Sequence, residues 1–402
     1  MDPKQQQEIL EELFGCPLPV LDPVYTEPNA YSRMSPNYLI TPYLLSEVYT
    51  VEEMKMVQLM PATAEQIAQK LGLDTEHCVR VLENMLDFAR IVSTNKANPK
   101  VYSPHLNMVA FRDSLGLGFL SHKMDWTPKM RAFRLMDHWI HVDYSPMAAE
   151  LVKWEMRVIP KWESIKDIPG VMYCENAKEI MERNVRAGTM LNVQCVCRAY
   201  RSYLDEGKHN PDHCAELHEH SAEDGHCFSF GSTAEFYKKK YPDSHLPNMD
   251  EAMELLKSGD ESRCIYQLPN TRETTQFCSC CTDCCAVSYH YEAVGIKDVR
   301  KPSRFRPYWR EEKCVGCQVC ETRCHYDAIQ VVDGAVVIHE DLCKGCGNCV
   351  VTCPTKALKM KIVHGPAWIP DVPYIDGWSV HDELEGEENR KAAEEQGAKI
   401  SV

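Results

Sequence analysis

The chain has 402 residues, a formal net charge of −15 and 21 cysteines. This length allows several domains with a sizeable core, and the acidic charge argues against a general nucleic-acid or anionic-membrane binder. The chain starts without a basic and apolar leader, and no apolar run approaches the length of about 18 residues that a membrane span needs. We therefore expect a soluble, cytoplasmic, oxygen-sensitive protein, in which the spacing of the cysteines favours metal ligands over disulfides.

Residues 1–38 are predicted to form a first helix and an extended arm. Asp2 and Pro3 are start signals for a helix, and the apolar residues that follow recur at helical spacing. The turn-rich stretch after this helix is expected to run over the surface.

Residues 39–104 have the pattern of a winged helix-turn-helix domain. A capping box at Thr63 begins one short helix, Gly72 ends it, and Asp74 caps the next. Two short predicted strands around a polar loop would form the wing. Such a domain binds DNA or another protein, and the acidic residues of its second helix favour protein interaction. DNA binding is the alternative.

Residues 105–190 are predicted to be a helical region. Its aromatic residues are spread between apolar positions, and we expect them to pack in the core.

Residues 191–298 are predicted to form a cysteine-rich, metal-binding domain. It is expected to hold one or two [4Fe–4S] clusters in addition to the two predicted for residues 312–363. A short strand leads into a C-x-C-R stretch, and a dense C-x-C-C-x2-C-C stretch follows later. The candidate iron ligands are Cys195, Cys197, Cys214, Cys227, Cys278, Cys280, Cys281, Cys284 and Cys285. Adjacent cysteines point in different directions in most backbone conformations, so the second stretch is not expected to serve one cluster. The pairing of the nine cysteines stays undetermined.

Two alternatives remain open for this domain. One is a single further cluster with a zinc site that uses histidines between residues 209 and 226, and the other is a reactive dithiol. Four other cysteines lie singly in the sequence and are expected to be buried small side chains: Cys16, Cys78, Cys174 and Cys264.

Residues 299–311 are predicted to be a basic linker. Its positive charge would neutralise nearby thiolate clusters, which we favour, or dock an acidic partner.

Residues 312–363 contain two C-x2-C-x2-C-x3-C runs, the spacing of bacterial-type two-cluster ferredoxins. In such proteins the fourth cysteine of each run binds the other cluster. The resemblance implies that Cys314, Cys317, Cys320 and Cys353 bind cluster I, and that Cys343, Cys346, Cys349 and Cys324 bind cluster II. One departure is His325, which follows Cys324 where the ferredoxin pattern has proline. Asp333-Gly334, between β-branched residues, predicts a hairpin, and residues 357–363 a further strand.

Residues 364–402 are a Pro- and aromatic-rich arm followed by an acidic tail. This extension is expected to bind a partner, or else to be a flexible, solubilising tail.

The order of these motifs resembles a family of 4Fe–4S ferredoxin-type proteins of anaerobic bacteria and archaea, over residues 40–363. The resemblance implies an α+β fold and electron transfer within oxidoreductase assemblies.

No dinucleotide, P-loop, zinc-protease or nucleophile-elbow motif is present in the sequence, so no substrate site of its own is evident. We therefore predict an electron-transfer subunit that relays single electrons to or from a flavoprotein, iron–sulfur or other metal oxidoreductase partner. The alternatives are a redox-sensing winged-helix DNA-binding regulator, and a catalytic subunit whose open-site cluster lies in the 195–285 region.

Overall fold

The computed structural model describes residues 3–29, 31, 39–93, 99–105, 111–116, 130–139, 156–193, 195–198, 227–240, 245–281, 284–285, 288 and 300–371. Within these ranges helices and strands are both present, which is an α+β fold. The α-helices are α1 (Pro3–Phe14), α2 (Pro23–Thr26), α3 (Thr41–Val48), α4 (Val51–Gln58), α5 (Ala64–Leu71), α6 (Thr75–Asp87), α7 (Met130–Trp139), α8 (Trp162–Ile165), α9 (Ala177–Ala187), α10 (Gly231–Lys240), α11 (Met249–Glu261), α12 (Val319–Thr322) and α13 (Asn348–Val351).

The strands belong to four sheets. They are β1 (Ala62–Thr63), β2 (Val92–Ser93), β3 (Val101–Ser103), β4 (Met156–Val158), β5 (Met190–Val193), β6 (Cys227–Phe230), β7 (Ile265–Pro269), β8 (Gln276–Cys280), β9 (Arg300–Lys301), β10 (Phe305–Trp309), β11 (Ile329–Val332), β12 (Ala335–Ile338) and β13 (Leu358–Ile362). The sheet orders are β1-β3-β2, β5-β6-β8-β7-β4-β9, β10-β13 and β11-β12. Only the β4–β9 pair among these described strands is parallel.

The N-terminal unit combines helices with the small antiparallel sheet β1-β3-β2. The predicted capping box is confirmed, since Thr63 and Gln66 exchange side-chain and backbone hydrogen bonds at the start of α5. Gly72 ends α5 in the left-handed conformation, and Asp74 accepts a hydrogen bond from the His77 amide at the start of α6. These local signals set where the two helices begin and where α5 ends.

The six-stranded sheet is the centre of the described structure. Helices α9 and α11 cover it through a core that includes Ile180, Leu256, Phe230 and Phe277. The region predicted as helical, residues 105–190, also contributes β4 to this sheet. A three-residue strand is too short to show the alternation that identifies strands in a sequence. Its pairing with β7 in the structure identifies it as a strand.

The C-terminal unit contains the two cysteine runs. The predicted hairpin is confirmed by the pairing of β11 with β12, where Asp333 and Gly334 both have positive φ. Strand β13 falls inside the predicted stretch 357–363 and pairs with β10, which comes before the first cysteine run.

The segment predicted as a basic linker is an ordered part of the fold. It forms β9 and β10, and Arg300, Arg304 and Arg306 within it are buried. Arg304 donates from Nε to Glu175 Oε1 at 2.9 Å and from a terminal nitrogen to Glu175 Oε2 at 2.6 Å. This segment therefore fastens the C-terminal unit to the central sheet.

Across the described part of the chain, none of the helices has the length and apolar character needed to cross a membrane.

Candidate iron–sulfur sites

Two cavities in the C-terminal unit are each lined by four of the predicted cysteine ligands. One is lined by Cys324, Cys343, Cys346 and Cys349. The other is lined by Cys314, Cys317, Cys320 and Cys353. In each cavity three cysteines come from one run and the fourth comes from the other run. The chain therefore gathers two separate sets of four thiols.

Backbone amides also point at the fourth cysteine of each run. The Ala328 amide donates to Cys324 Sγ at 3.4 Å, and the Ala357 amide donates to Cys353 Sγ at 3.2 Å. Such bonds stabilise a thiolate and tune the potential of a bound cluster. For Cys353 they outweigh burial and lower the pKa of the thiol.

The two cavities differ in their exposure to solvent. Burial raises the pKa of Cys349 and raises that of Cys346 to about 12, as expected for thiols removed from water. In contrast, Cys317 is exposed, and the neighbouring Val315 is 67% exposed. Cys343 and Cys349 in the first cavity are therefore buried and Cys346 is half-buried, whereas Cys317 in the second cavity is exposed.

A second group of cysteines lies at one end of the six-stranded sheet. Hydrogen-bond contacts connect the thiols of Cys195, Cys197, Cys227, Cys278, Cys280 and Cys285. We call this set the six-cysteine group. Cys227 accepts from the Cys195 and Cys278 thiols, which lowers its pKa well below the ordinary value. A thiolate is thus favoured at the middle of the group.

Cationic and amide side chains surround the six-cysteine group. Arg112 donates to Cys197 Sγ at 3.5 Å, and Arg300 lies 3.8 Å from Cys285 Sγ. Gln267 donates to Cys280 Sγ at 3.2 Å. The charge of Arg198 acts on both Cys195 and Cys227. These groups offset negative charge on thiolates, as expected for a metal site.

Three further cysteines form a separate buried cluster: Cys264, Cys281 and Cys284. We call this set the cysteine triad. Ile265 pairs with Cys280, which places Cys264 opposite Cys281 just beyond the paired strands. Side chains alternate along a strand, so Cys278 and Cys280 face one side of the sheet and Cys281 follows on the other. The geometry of β8 therefore divides the dense cysteine stretch between two groups.

Two residues next to ferredoxin cysteines contact the loop that precedes Cys264. His325 Nε2 donates to the Arg263 carbonyl oxygen at 2.6 Å, and Asn348 donates to the same oxygen at 2.8 Å. Burial lowers the pKa of His325 to about 4, so it is a neutral donor. This contact gives a structural reason for the histidine after Cys324, which the sequence pattern could not supply.

Some sequence predictions lie outside the described residues. These include Cys214 and the histidines between residues 209 and 226, together with the rest of the Pro- and aromatic-rich arm and the acidic tail from residue 372 onwards. In the described ranges, no three His, Cys, Asp or Glu side chains are placed to hold a single metal ion.

Sequence reasoning placed Cys264 among the buried small side chains and not among the candidate ligands. It lies alone in the sequence, 14 positions before the next cysteine at 278. Only the β7–β8 pairing brings it beside Cys281. Cys78, Cys174 and Cys264 are buried as expected, whereas Cys16 is exposed.

Comparison with known proteins connects the C-terminal unit to iron–sulfur proteins. Residues 336–359 match the family described as a 4Fe-4S binding domain. Pyruvate synthase subunit PorD of Methanothermobacter marburgensis is 40% identical over 57 residues, which are 14% of this chain and 67% of that protein. The PorD of Thermotoga maritima is 38% identical over 58 residues, which are 14% of this chain and 58% of that protein.

A third relative is one of the subunits of an ion-translocating oxidoreductase complex from Methanosarcina acetivorans. It is 39% identical over 51 residues, which are 13% of this chain and 19% of that protein. The chain thus spans between about a fifth and two thirds of the length of these relatives. A search of the solved structures gave no match to the chain. Through its C-terminal 4Fe–4S binding domain, the chain belongs to the ferredoxin-type iron–sulfur proteins.

Proposed function

We propose that this chain is an electron-transfer subunit that relays single electrons between iron–sulfur clusters and a partner oxidoreductase. The observation that carries the proposal is the pair of cavities, each lined by four cysteines from two runs. Relatives named as subunits of pyruvate synthase and of an ion-translocating oxidoreductase complex are consistent with a role inside an assembly.

The proposed ligands of cluster I are Cys314, Cys317, Cys320 and Cys353, and those of cluster II are Cys343, Cys346, Cys349 and Cys324. When bound, such clusters accept and release one electron at potentials set by their surroundings. The chain supplies thiolates, amide donors at Cys324 and Cys353, and burial of Cys343 and Cys349 at cluster II. Surface exposure of Cys317 and Val315 supports electron exchange with the partner at cluster I.

We also assign one further [4Fe–4S] cluster to the six-cysteine group. Six thiols provide more than the four ligands that a cube needs. Arg112, Arg198 and Arg300 supply positive charge that stabilises thiolates in a buried site. Cys214 lies outside the described residues and is an additional candidate for this site.

The N-terminal unit, in our proposal, is a winged helix that binds protein and not DNA. Lys100 in the proposed wing is paired with Glu83 of α6 at 2.7 Å, and Arg90 is paired with Glu53 at 2.8 Å. Two basic side chains that could contact phosphates are therefore already engaged. The test is a gel-shift titration with random duplex DNA in low salt, with clusters oxidised and then reduced. Salt-dependent binding in either state would overturn this assignment.

Electron paramagnetic resonance tests the relay. The full-length protein, purified anaerobically and reduced with dithionite, should give the spectrum of interacting reduced [4Fe–4S] clusters. Cys317→Ala should remove the cluster I contribution and the interaction with cluster II. Cys16→Ala is a matched control, because Cys16 is also exposed but lies far from both runs in sequence. An unchanged spectrum in Cys317→Ala would contradict the proposed ligand set.

A further inference from the structure

We propose that the cysteine triad, Cys264, Cys281 and Cys284, binds an iron–sulfur cluster of its own. This site is additional to the two ferredoxin clusters and to the six-cysteine group. It includes a cysteine that stands alone in the sequence. Only its place in the relay rests on the proposed function, since metal binding by the triad does not require the chain to transfer electrons.

The composition of the triad sets it apart from ordinary core packing. The other buried clusters of the described structure consist mainly of aliphatic and aromatic side chains. This one contains cysteines alone, at 0%, 2% and 2% exposure. Buried cysteines that serve as small hydrophobic groups lie among apolar neighbours, as Cys78 does in the N-terminal core. Three buried thiols side by side instead form a soft donor set that suits iron–sulfur clusters.

The backbone presents these thiols at a ligand-like spacing. Cys281 and Cys284 form a C-x2-C pair, the same spacing that recurs in both ferredoxin runs. Cys264 completes the set from the neighbouring strand, because it continues the register in which Ile265 pairs with Cys280. The three cysteines, from a C-x2-C turn and from the position just before β7, lie in one buried contact cluster.

Positive charge lies next to the triad. Lys161 is fully buried, and its Nζ is 4.0 Å from the centroid of the Tyr266 ring. Its electrostatic neighbours include Cys264, Asp260 and Cys346. A buried ammonium group is costly without negative charge nearby, and thiolates in the triad would add to the charge that Asp260 supplies.

The location of the triad fits an intermediate site between the six-cysteine group and cluster II. Two residues of the triad are sequence neighbours of the six-cysteine group: Cys281 follows Cys280, and Cys284 precedes Cys285. On the other side, the Lys161 amide donates to the Cys346 carbonyl oxygen at 2.9 Å. The loop before Cys264 is held by His325 and Asn348 of the ferredoxin unit. The same elements that carry the triad therefore touch both neighbouring cysteine sites.

The test compares iron and acid-labile sulfide per chain in anaerobically purified, full-length variants. Cys264→Ala should lose about three to four irons relative to the unmodified chain, which is one cluster. Cys281→Ala combined with Cys284→Ala should lose the same number. Cys78→Ala and Cys174→Ala are matched controls, because each removes a buried cysteine outside the triad, and both should keep full iron content.

Spectroscopy separates this proposal from a folding defect and from failure of the proposed function. In Cys264→Ala, the signals of the ferredoxin clusters should persist, which shows that the chain is folded. If they are lost, Cys264→Ser keeps the size and an oxygen donor, and it should shift the Mössbauer parameters of one cluster only. Wild-type iron content and unchanged Mössbauer spectra in both Cys264→Ala and Cys264→Ser would overturn the triad site. Loss of zinc instead of iron from these variants would also overturn it. Absence of ferredoxin signals in the unmodified chain would overturn the proposed function instead.

Discussion

Gly345 and Gly316 provide a direct test of how the ferredoxin unit is packed against the rest of the chain. They occupy equivalent positions in the two cysteine runs and have similar φ values of +69° and +65°. A Cβ atom at Gly345 would overlap the Phe305 carbonyl oxygen and Ser303 Oγ, whereas one at Gly316 meets nothing within 4 Å. Alanine would therefore have similar backbone strain at both positions, but its Cβ atom would clash with neighbouring atoms only at position 345.

The expected magnitudes follow from these two contributions. Left-handed backbone strain should cost each alanine variant about 1–2 kcal/mol. Overpacking against a buried backbone adds about 1–3 kcal/mol for Gly345→Ala alone. Gly345→Ala should therefore be destabilised by about 2–5 kcal/mol in total.

Anaerobic urea unfolding of the full-length protein, followed by cluster absorbance, measures this difference. Equal destabilisation of the two variants would refute the inferred close packing of Gly345 against residues 303–305.

Three further predictions concern single contacts. Glu175→Ala leaves Arg304 buried without its carboxylate, so the free energy of unfolding in urea should fall by about 3–5 kcal/mol, and a loss below about 1 kcal/mol would contradict a buried ion pair. Burial acts to raise the pKa of Glu53, but hydrogen bonds from Arg90 and from Thr50 at the helix start lower this pKa overall below its ordinary value of 4.5. The ionised Glu53 side chain therefore stabilises the fold above pH 4.5, and this stabilisation is lost as the pH falls through the lower pKa of the folded state. Acid unfolding of Glu53→Gln should therefore show a shallower pH dependence than the unmodified chain, and identical profiles would be evidence against the ion pair. His325→Ala removes a hydrogen bond to the loop before β7, so the free energy of unfolding in urea should fall by about 0.5–1.5 kcal/mol. The same variant should shift the reduction potential of cluster II, and an unchanged potential in a redox titration would show that this contact does not tune cluster II.

Local signals made part of this molecule predictable from the sequence. The turn at Asp333-Gly334 and the helix starts at Thr63 and Asp74 each depend on residues within a few positions, and the structure contains all three. The crossed ligand sets of the two runs come from spacing alone and remain a prediction, which the two cysteine-lined cavities support.

Long-range pairing made the rest unpredictable. Strands β4 and β9 are three and two residues long and pair across more than a hundred positions, so neither carries a recognisable pattern. The buried arginines of the segment predicted as a linker are explained only by partners such as Glu175, far away in sequence. Cys264 is the same kind of case, because its neighbours become visible only when β7 and β8 are paired.

The number of irons per chain in anaerobically purified, full-length protein tests whether the iron–sulfur clusters extend beyond the ferredoxin unit. The two ferredoxin clusters and the six-cysteine group together require about twelve irons, and the cysteine triad raises the total to about fifteen or sixteen. A total of twelve or more, with matching acid-labile sulfide, is the predicted result. A value near eight would confine the clusters to the ferredoxin unit, and would contradict a relay that continues into the central sheet.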